Sequence, residues 1–202
     1  MASINSDIIV AIAAIIVAAV AVLGLSTWRK ELTGRAKFEV ARKVMLLGYK
    51  IRDDFEFVRS PFTGSWESAD RPRREEETET PTESNIRNEW FAKNKRLGVL
   101  VEDLQKFQES YWEADIVLGD GPGKLISEVL GVYRESYAEL AASISTYFDT
   151  ELHEQRSGTR PRDEELIQKC RRDIYSSSHD EFSTQIDQTT EKLSSELKRY
   201  VR

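Results

Sequence analysis

Residues 8–25 read IIVAIAAIIVAAVAVLGL, an unbroken run of 18 apolar residues near the start of a 202-residue chain. No charged residue lies between Asp7 and Arg29. This interval corresponds to about 31 Å of helix, close to the hydrocarbon thickness of a bilayer. The run therefore predicts a transmembrane helix over residues 8–28. The alternatives are a buried helix of a soluble protein and a cleaved signal peptide, although residues 1–7 lack the basic residues of a signal peptide.

Basic residues follow the apolar run. Residues 29–52 contain eight basic and two acidic side chains, whereas residues 1–7 contain no basic one. Positive charge is retained on the cytoplasmic side, so residues 1–7 are expected to be a short extracytoplasmic tail and the rest to lie inside the cell. The chain is therefore predicted to cross the membrane once. The side chains expected at the membrane interface are Trp28, Arg29, Lys30, Arg35 and Lys37.

Small residues recur on one face of the predicted span, at Ala11, Ala14, Ala18 and Ala21. Small side chains let transmembrane helices approach closely, so this stripe is a candidate association face. In a span so rich in alanine, the same spacing also arises without any role in helix association.

The charge balance of the chain bears on its partners. The net charge is −6, and residues 29–52 contribute +6, so the remainder carries −12. An acidic body is a poor nucleic-acid binder, because phosphate contacts need a clustered basic face. The expected partners are therefore the lipid bilayer and a protein, either a different chain or further copies of this one.

Apolar residues after position 28 recur every three to four positions, which predicts an all-α fold. We expect a basic amphipathic helix over 29–60, continuous with the span, and a flexible charged loop over 61–84. A helical bundle over 85–202 should contain helices at about 85–118, 124–155, 162–175 and 180–201. The residues expected to be buried in the first of these helices, 29–60, are Phe38, Ala41, Met45, Gly48, Ile51, Phe55 and Val58.

Two of the predicted helices carry a coiled-coil-like seam, and a five-residue turn, GDGPG at 119–123, joins them. They should pack as an antiparallel pair. Lys93 interrupts the seam near its start. The seam residues are Leu97, Leu100, Leu104, Phe107, Tyr111, Leu130, Tyr133, Tyr137, Leu140 and Ile144.

No catalytic or metal-binding motif is present in the sequence. The histidines are His153 and His179, which lack a helical metal-site spacing, and the single cysteine is Cys170 on an apolar stripe. We therefore predict no catalytic residue, no metal site and no cofactor.

Residues 28–34 (WRKELTG), 39–43 (EVARK), 49–53 (YKIRD) and 59–62 (RSPF) resemble a recurrent group of small bacterial single-pass membrane proteins without an assigned activity. The resemblance covers residues 8–62. It implies a bacterial inner-membrane protein with a basic juxtamembrane helix and a cytoplasmic helical domain, and it carries over no catalytic residue.

These observations favour a membrane-anchored, non-enzymatic helical scaffold that recruits a partner or self-associates. One alternative is a membrane-linked sensor or regulator that transmits a signal through the juxtamembrane helix. Another is a helical-bundle enzyme without a recognisable motif, which would show paired, buried acidic side chains around a cavity.

Overall fold

The computed structural model describes residues 2–73, 79–159, 163–175 and 180–201, with side chains from Val10 onward. Within these residues the chain is all-α and contains no strand, which confirms the all-α part of the predicted fold. The helices are α1 (Ala2–Arg59), α2 (Pro81–Leu118), α3 (Asp120–Ser157), α4 (Glu164–Ile174) and α5 (Glu181–Val201), with a 3-10 turn at Ser65–Ser68.

Helix α1 is unbroken across the two helices expected at 8–28 and 29–60. It is long and apolar enough to cross a membrane by length and composition. Its side chains are exposed over residues 10–36, and the first buried one is Val40. Phe38, expected to be buried, is 40% exposed because packing against the rest of the chain begins one half-turn later.

Helix α2 begins at Pro81, a full turn before the expected residue 85. Thr80 and Glu83 form a capping box, in which each side chain accepts a hydrogen bond from the other residue's backbone N–H. Proline is favoured in the first turn because it lacks an N–H that would have no partner there. The expected loop at 61–84 is therefore shorter, and the 3-10 turn and the first turn of α2 occupy part of it. Residues 74–78 lie outside the described part.

The prediction of a five-residue turn between α2 and α3 is wrong. Gly119 alone separates the two helices, and residues 120–123 form the first turn of α3. Gly119 has a φ of +86°, in the region that glycine adopts without the steric cost of a Cβ. One glycine is thus sufficient to reverse the chain between two helices of 38 residues each.

Helices α1, α2, α3 and α5 share one hydrophobic core, and α4 packs mainly on α3. Contacts fix the directions: Lys43 of α1 pairs with Glu113 of α2, and Glu83 of α2 pairs with Arg156 of α3. Helices α1 and α3 therefore run one way and α2 runs the other. Helix α5 runs with α2, since Gly48 of α1 lies beside Leu193 and Arg59 pairs with Asp180. Residues 176–178, a weak breaker in the sequence, lie outside the described part.

Candidate functional site

The side chains predicted at the membrane interface lie on the part of α1 that does not pack. Trp28 is 57% exposed, Arg29, Lys30 and Arg35 are exposed, and Lys37 is half-buried. The alanine stripe, Ala11, Ala14, Ala18 and Ala21, is exposed as well. These residues thus face the surroundings of the molecule rather than its core.

The structure brings the predicted seam residues into the shared core. Eight of them are buried, whereas Tyr111 and Tyr137 are half-buried. The rings of Phe107 and Tyr133 meet edge-on with centroids 5.7 Å apart, and the Tyr133 hydroxyl hydrogen-bonds Thr190 of α5 at 2.8 Å. The seam therefore packs against both α5 and α1, which also contact each other. The buried eight are Leu97, Leu100, Leu104, Phe107, Leu130, Tyr133, Leu140 and Ile144.

A buried lysine caps the C-terminal end of α1. Lys93 of α2 is fully buried, and its ammonium donates to the carbonyl oxygens of Val58 at 2.8 Å and Ser60 at 2.7 Å. The Val58 carbonyl is in the last turn of α1 and the Ser60 carbonyl follows it directly, at the helix end where helical partners are lacking and the dipole favours a cation. Burial lowers the pKa of Lys93 to about 8. The apparent interruption of the seam is therefore a helix cap supplied by a neighbouring helix.

Arg96 extends this cap to the segment that follows α1. Its guanidinium donates to the carbonyls of Phe57 and Phe62 at 2.8 and 2.7 Å, and both its Nε and Nη2 donate to the carboxylate of Glu67. Glu67 in turn accepts from the Gly64 N–H at 2.7 Å. The bond from Arg96 is the main cause that holds the pKa of Glu67 below its usual value.

Arg59, the last residue of α1, joins three elements. It donates to the carbonyls of Arg172 and Asp173 in the last turns of α4, at 3.0 and 2.6 Å. The same guanidinium forms a bidentate ion pair with Asp180, just before α5: Nη1 donates to Oδ1 and Nη2 donates to Oδ2. A single side chain thus fixes the end of α1 against α4 and α5.

Two aspartates meet between α1 and α2. The two carboxyl groups influence each other's pKa, and Asp54 Oδ2 is buried without a hydrogen-bond partner among the described residues. The Asp103 side chain is only 1% exposed, and its oxygens lie 2.7 Å from the ammonium of Lys50 and 2.9 Å from that of Lys106. Burial, and then the neighbouring Asp103 carboxyl, raises the pKa of Asp54 to about 7. Burial also acts to raise the pKa of Asp103, but its hydrogen-bond partners, Lys50 first, outweigh that effect and lower it to about 2.

A groove of about 460 Å³ lies beside this carboxyl pair, between α1 and α2. Lys50 and Lys106 line it, so the same two ammonium groups contact the buried carboxyls and the groove. Leu46 and Leu47 supply its apolar surface.

Two aromatic side chains are exposed on the segment after α1. Phe62 is 83% exposed and Trp66 is 76% exposed. The Trp66 ring covers Gly64, since a Cβ built there would lie 2.3 Å from the ring. The bonds from Arg96 and to Glu67 hold the backbone of this segment, so the aromatic side chains are presented from a braced loop.

The remaining sequence candidates are separate from these clusters. His153 is exposed near the end of α3, Cys170 is buried in α4, and His179 lies outside the described residues. Across the described ranges, no group of three or more His, Cys, Asp or Glu side chains converges as a metal site would require.

Comparison of the chain with family models, with curated proteins and with solved structures gave no match.

Proposed function

We propose that this chain is a membrane-anchored, non-enzymatic helical interaction protein that recruits a partner or self-associates at the cytoplasmic face of a membrane. The observation that carries the proposal is the division of α1. One unbroken helix presents apolar side chains on every side over residues 10–25 and then supplies a face of the hydrophobic core from Val40 onward. Exposed aliphatic side chains in that number are stable in lipid and unfavourable in water.

Location and orientation in this proposal come from the charges. The basic residues after the apolar segment favour retention of the helical domain in the cytoplasm. The resemblance over residues 8–62 supports a bacterial inner membrane. Trp28 would lie at the headgroups, and Arg29 and Lys30 beside them.

Recruitment of a protein partner, or self-association, is supported by the braced loop that presents Phe62 and Trp66. Large aromatic side chains are enriched at protein interfaces, and here the bonds of Arg96 and Glu67 limit the ordering cost of binding. By length, this loop is about 50 Å along α1 from Trp28, which places it beyond the reach of the lipid that would surround the span.

The test is fractionation followed by cross-linking. Full-length protein in native membranes should resist extraction by alkaline carbonate and dissolve only in detergent, and a C-terminal reporter should be active in the cytoplasm. A photo-cross-linking residue at position 66 should give a discrete adduct, and one at the exposed position 95 should not. Protein that washes off without detergent refutes the anchor. Recovery as an uncross-linked monomer refutes the interaction role.

A sensor that transmits a signal through α1 is a second candidate. The observation that favours it is the uninterrupted helix between the apolar segment and the carboxyl pair of Asp54 and Asp103. A rotation or shift at one end of such a helix would be carried to the contact between α1 and α2.

The enzyme alternative predicted paired acidic side chains around a cavity. Asp54 and Asp103 lie near a groove, but Lys50 and Lys106 line that groove and the two carboxyls do not. Asp103 pairs with both lysines, so it is better suited to joining the helices than to contacting a substrate.

A further inference from the structure

We propose that a second copy of this chain packs in parallel along the exposed side of α1, from the apolar segment to Leu46. The inference rests on the membrane anchor of the proposed function and deepens it by naming the partner of this helix. It concerns α1 and not the loop that presents Phe62 and Trp66, so the two interactions can be tested separately.

The observation that carries the proposal is a series of exposed positions seven residues apart on α1. Leu25, Leu32, Glu39 and Leu46 are all exposed, and α1 is unbroken through them. Seven residues are about 20° short of two helical turns, so these positions stay on one side of the helix and follow a left-handed path. We call this path, with the residues between that share its side, the α1 stripe.

Trp28, Arg35 and Arg42 continue the same pattern, since each lies three residues after one of these positions and four before the next. Spacing that alternates between three and four is that of the coiled-coil positions that pack against an identical helix in a parallel dimer. The alanine stripe has the same spacing upstream, and its small side chains permit close approach of two helices in lipid. The α1 stripe is thus a continuous seam that begins in the apolar segment and ends in the packed domain.

Lipid cannot cover the whole α1 stripe. Leu32 and Leu46 are each about half exposed and lie about 10 and 32 Å beyond Leu25 along the helix. The headgroup region is only about 5–8 Å thick on each side of the hydrocarbon. A partner that buries the stripe over its full length is therefore a protein helix rather than lipid.

The domain leaves this side of α1 free. Val44 and Gly48 are buried against the rest of the domain and lie two residues before and after Leu46. Two residues correspond to about 200° of rotation, so Leu46 lies on the side of the helix opposite to both. Helices α2 and α5 therefore flank α1 without covering Leu46, and another helix can lie along it.

The membrane anchor determines how a second copy would approach. Two copies with the same orientation run parallel, so each residue of the α1 stripe is level with its counterpart. Arg35 and Arg42 lie four residues before and three residues after Glu39, and within the described residues none of these three side chains forms an ion pair. In a parallel dimer, each Glu39 lies between two arginine layers of the other helix. The α1 stripe is thus complementary to itself, with leucines facing leucines and carboxylates beside guanidinium groups.

The first test is covalent cross-linking in native membranes. Full-length protein with Cys170→Ala receives one new cysteine, either Leu32→Cys on the α1 stripe or Lys30→Cys on the opposite side of the helix. Both positions precede the packed part of α1, so neither change affects the domain. We expect a mild oxidant or a short bismaleimide to give a homodimer with Leu32→Cys and about tenfold less with Lys30→Cys, because a disulfide requires closely spaced Cα atoms. Equal yields, no product with either reagent, or a product with a different protein would overturn the proposal.

Failure of this inference is distinguishable from failure of the proposed function. Protein that resists carbonate and gives an adduct at position 66, yet no dimer at position 32, retains the proposed function and refutes the α1 stripe. Protein that washes off without detergent refutes both.

The second test reverses the charge at Glu39. Glu39→Arg replaces the carboxylate with a third guanidinium in the α1 stripe, whereas Glu135→Arg makes the same change at an exposed position of α3. We expect Glu39→Arg to raise the dissociation constant of the dimer in micelles by about tenfold or more, measured by energy transfer between labelled copies. Glu135→Arg should leave it unchanged. An unchanged constant in Glu39→Arg, or an equal shift in both variants, would contradict the pairing of Glu39 with the arginines.

Discussion

The two halves of α1 have the same backbone conformation but opposite relations to the rest of the molecule. Residues 10–25 are apolar all round and exposed throughout, whereas residues 40–59 bury one face and carry charged groups with dedicated partners. Helix formation alone therefore says little about what a segment does. The distribution of apolar residues around the helix indicates whether its environment is a protein core or an apolar solvent.

The largest expected effect is the loss of folding stability when an aromatic side chain is shortened in the packed half of α1, residues 40–59. Phe55 is 2% exposed and its ring contacts those of Tyr133 and Phe182. Phe55→Ala should lower the free energy of unfolding by about 3–5 kcal/mol, because it removes apolar contacts and leaves a cavity. Denaturant unfolding in micelles measures this change.

The matched control is Phe38→Ala, which makes the same substitution in the same helix at a 40% exposed position. Its effect should be below about 1 kcal/mol, as for surface substitutions. Equal losses for Phe38 and Phe55 would show that the packed region begins earlier than Val40.

The next effect concerns the exposed half. Val17 is 68% exposed in the middle of the apolar run. Val17→Arg should cost about 2.5–3.5 kcal/mol of membrane insertion and increase the fraction of protein left outside the membrane. Fractionation of cells after pulse labelling detects this shift.

Val17→Leu is the control and should insert as the native protein does. Because residue 17 makes no core contact, Val17→Arg should also leave denaturant unfolding in micelles unchanged. A loss of stability there would mean that the two halves are not independent.

A smaller effect is expected at the cap of α1. Lys93→Met keeps the length and burial of the side chain but leaves the Val58 carbonyl without its donor and the Ser60 carbonyl with only a 3.4 Å bond from Arg96. The free energy of unfolding should fall by about 2 kcal/mol, in the range of a charged hydrogen bond that is lost in a buried site. Thermal unfolding monitored by circular dichroism provides the measurement.

Lys95→Met is the control two residues away, since Lys95 is exposed and, within the described part of the chain, pairs only with exposed Asp70. Its cost should be near zero, as is usual for surface ion pairs. A loss at Lys95 as large as that at Lys93 would contradict the cap.

The smallest effects compare two glycines of α1. A Cβ at Gly48 would lie 2.8 Å from Leu193, whereas at Gly34 nothing lies within 4 Å. Gly48→Ala should therefore destabilise the protein by about 1–2 kcal/mol through overpacking. Gly34→Ala should be neutral for the packed domain or raise helix stability by about 0.5–1 kcal/mol. The pair is compared by thermal unfolding, and a reversed order would contradict the approach of α5 to α1.

The helices and their buried faces could be predicted from the sequence, because the spacing of apolar residues is a local property. Ile51, Phe55 and the ten seam residues were chosen from that spacing, and the structure buries or half-buries all of them. The early start of α2 was also predictable, since Thr80-Pro81-Thr82-Glu83 has the form of a capping box. The many charges around it instead predict a flexible loop.

The polar clusters could not be predicted in the same way. In the sequence, Lys93 only interrupts the apolar seam, because its partners, Val58 and Ser60, lie elsewhere in the chain. The spacing of apolar residues within one helix does not determine how that helix lies against another. Asp54 and Asp103 are likewise 49 positions apart, and nothing short of the packed helices brings them together.

The stretch of α1 between Leu25 and Val40 has a further consequence. It rises by about 22 Å and contains no proline, so it acts as a stiff spacer of fixed height and fixed angle. In the proposed membrane setting, a binding partner would need to span that height to engage the domain. Removal of four residues would lower the domain by about 6 Å and turn it by about 40°, whereas removal of two would turn it about halfway round. The number of residues in this stretch would therefore determine which side of the domain faces a neighbouring protein in the membrane.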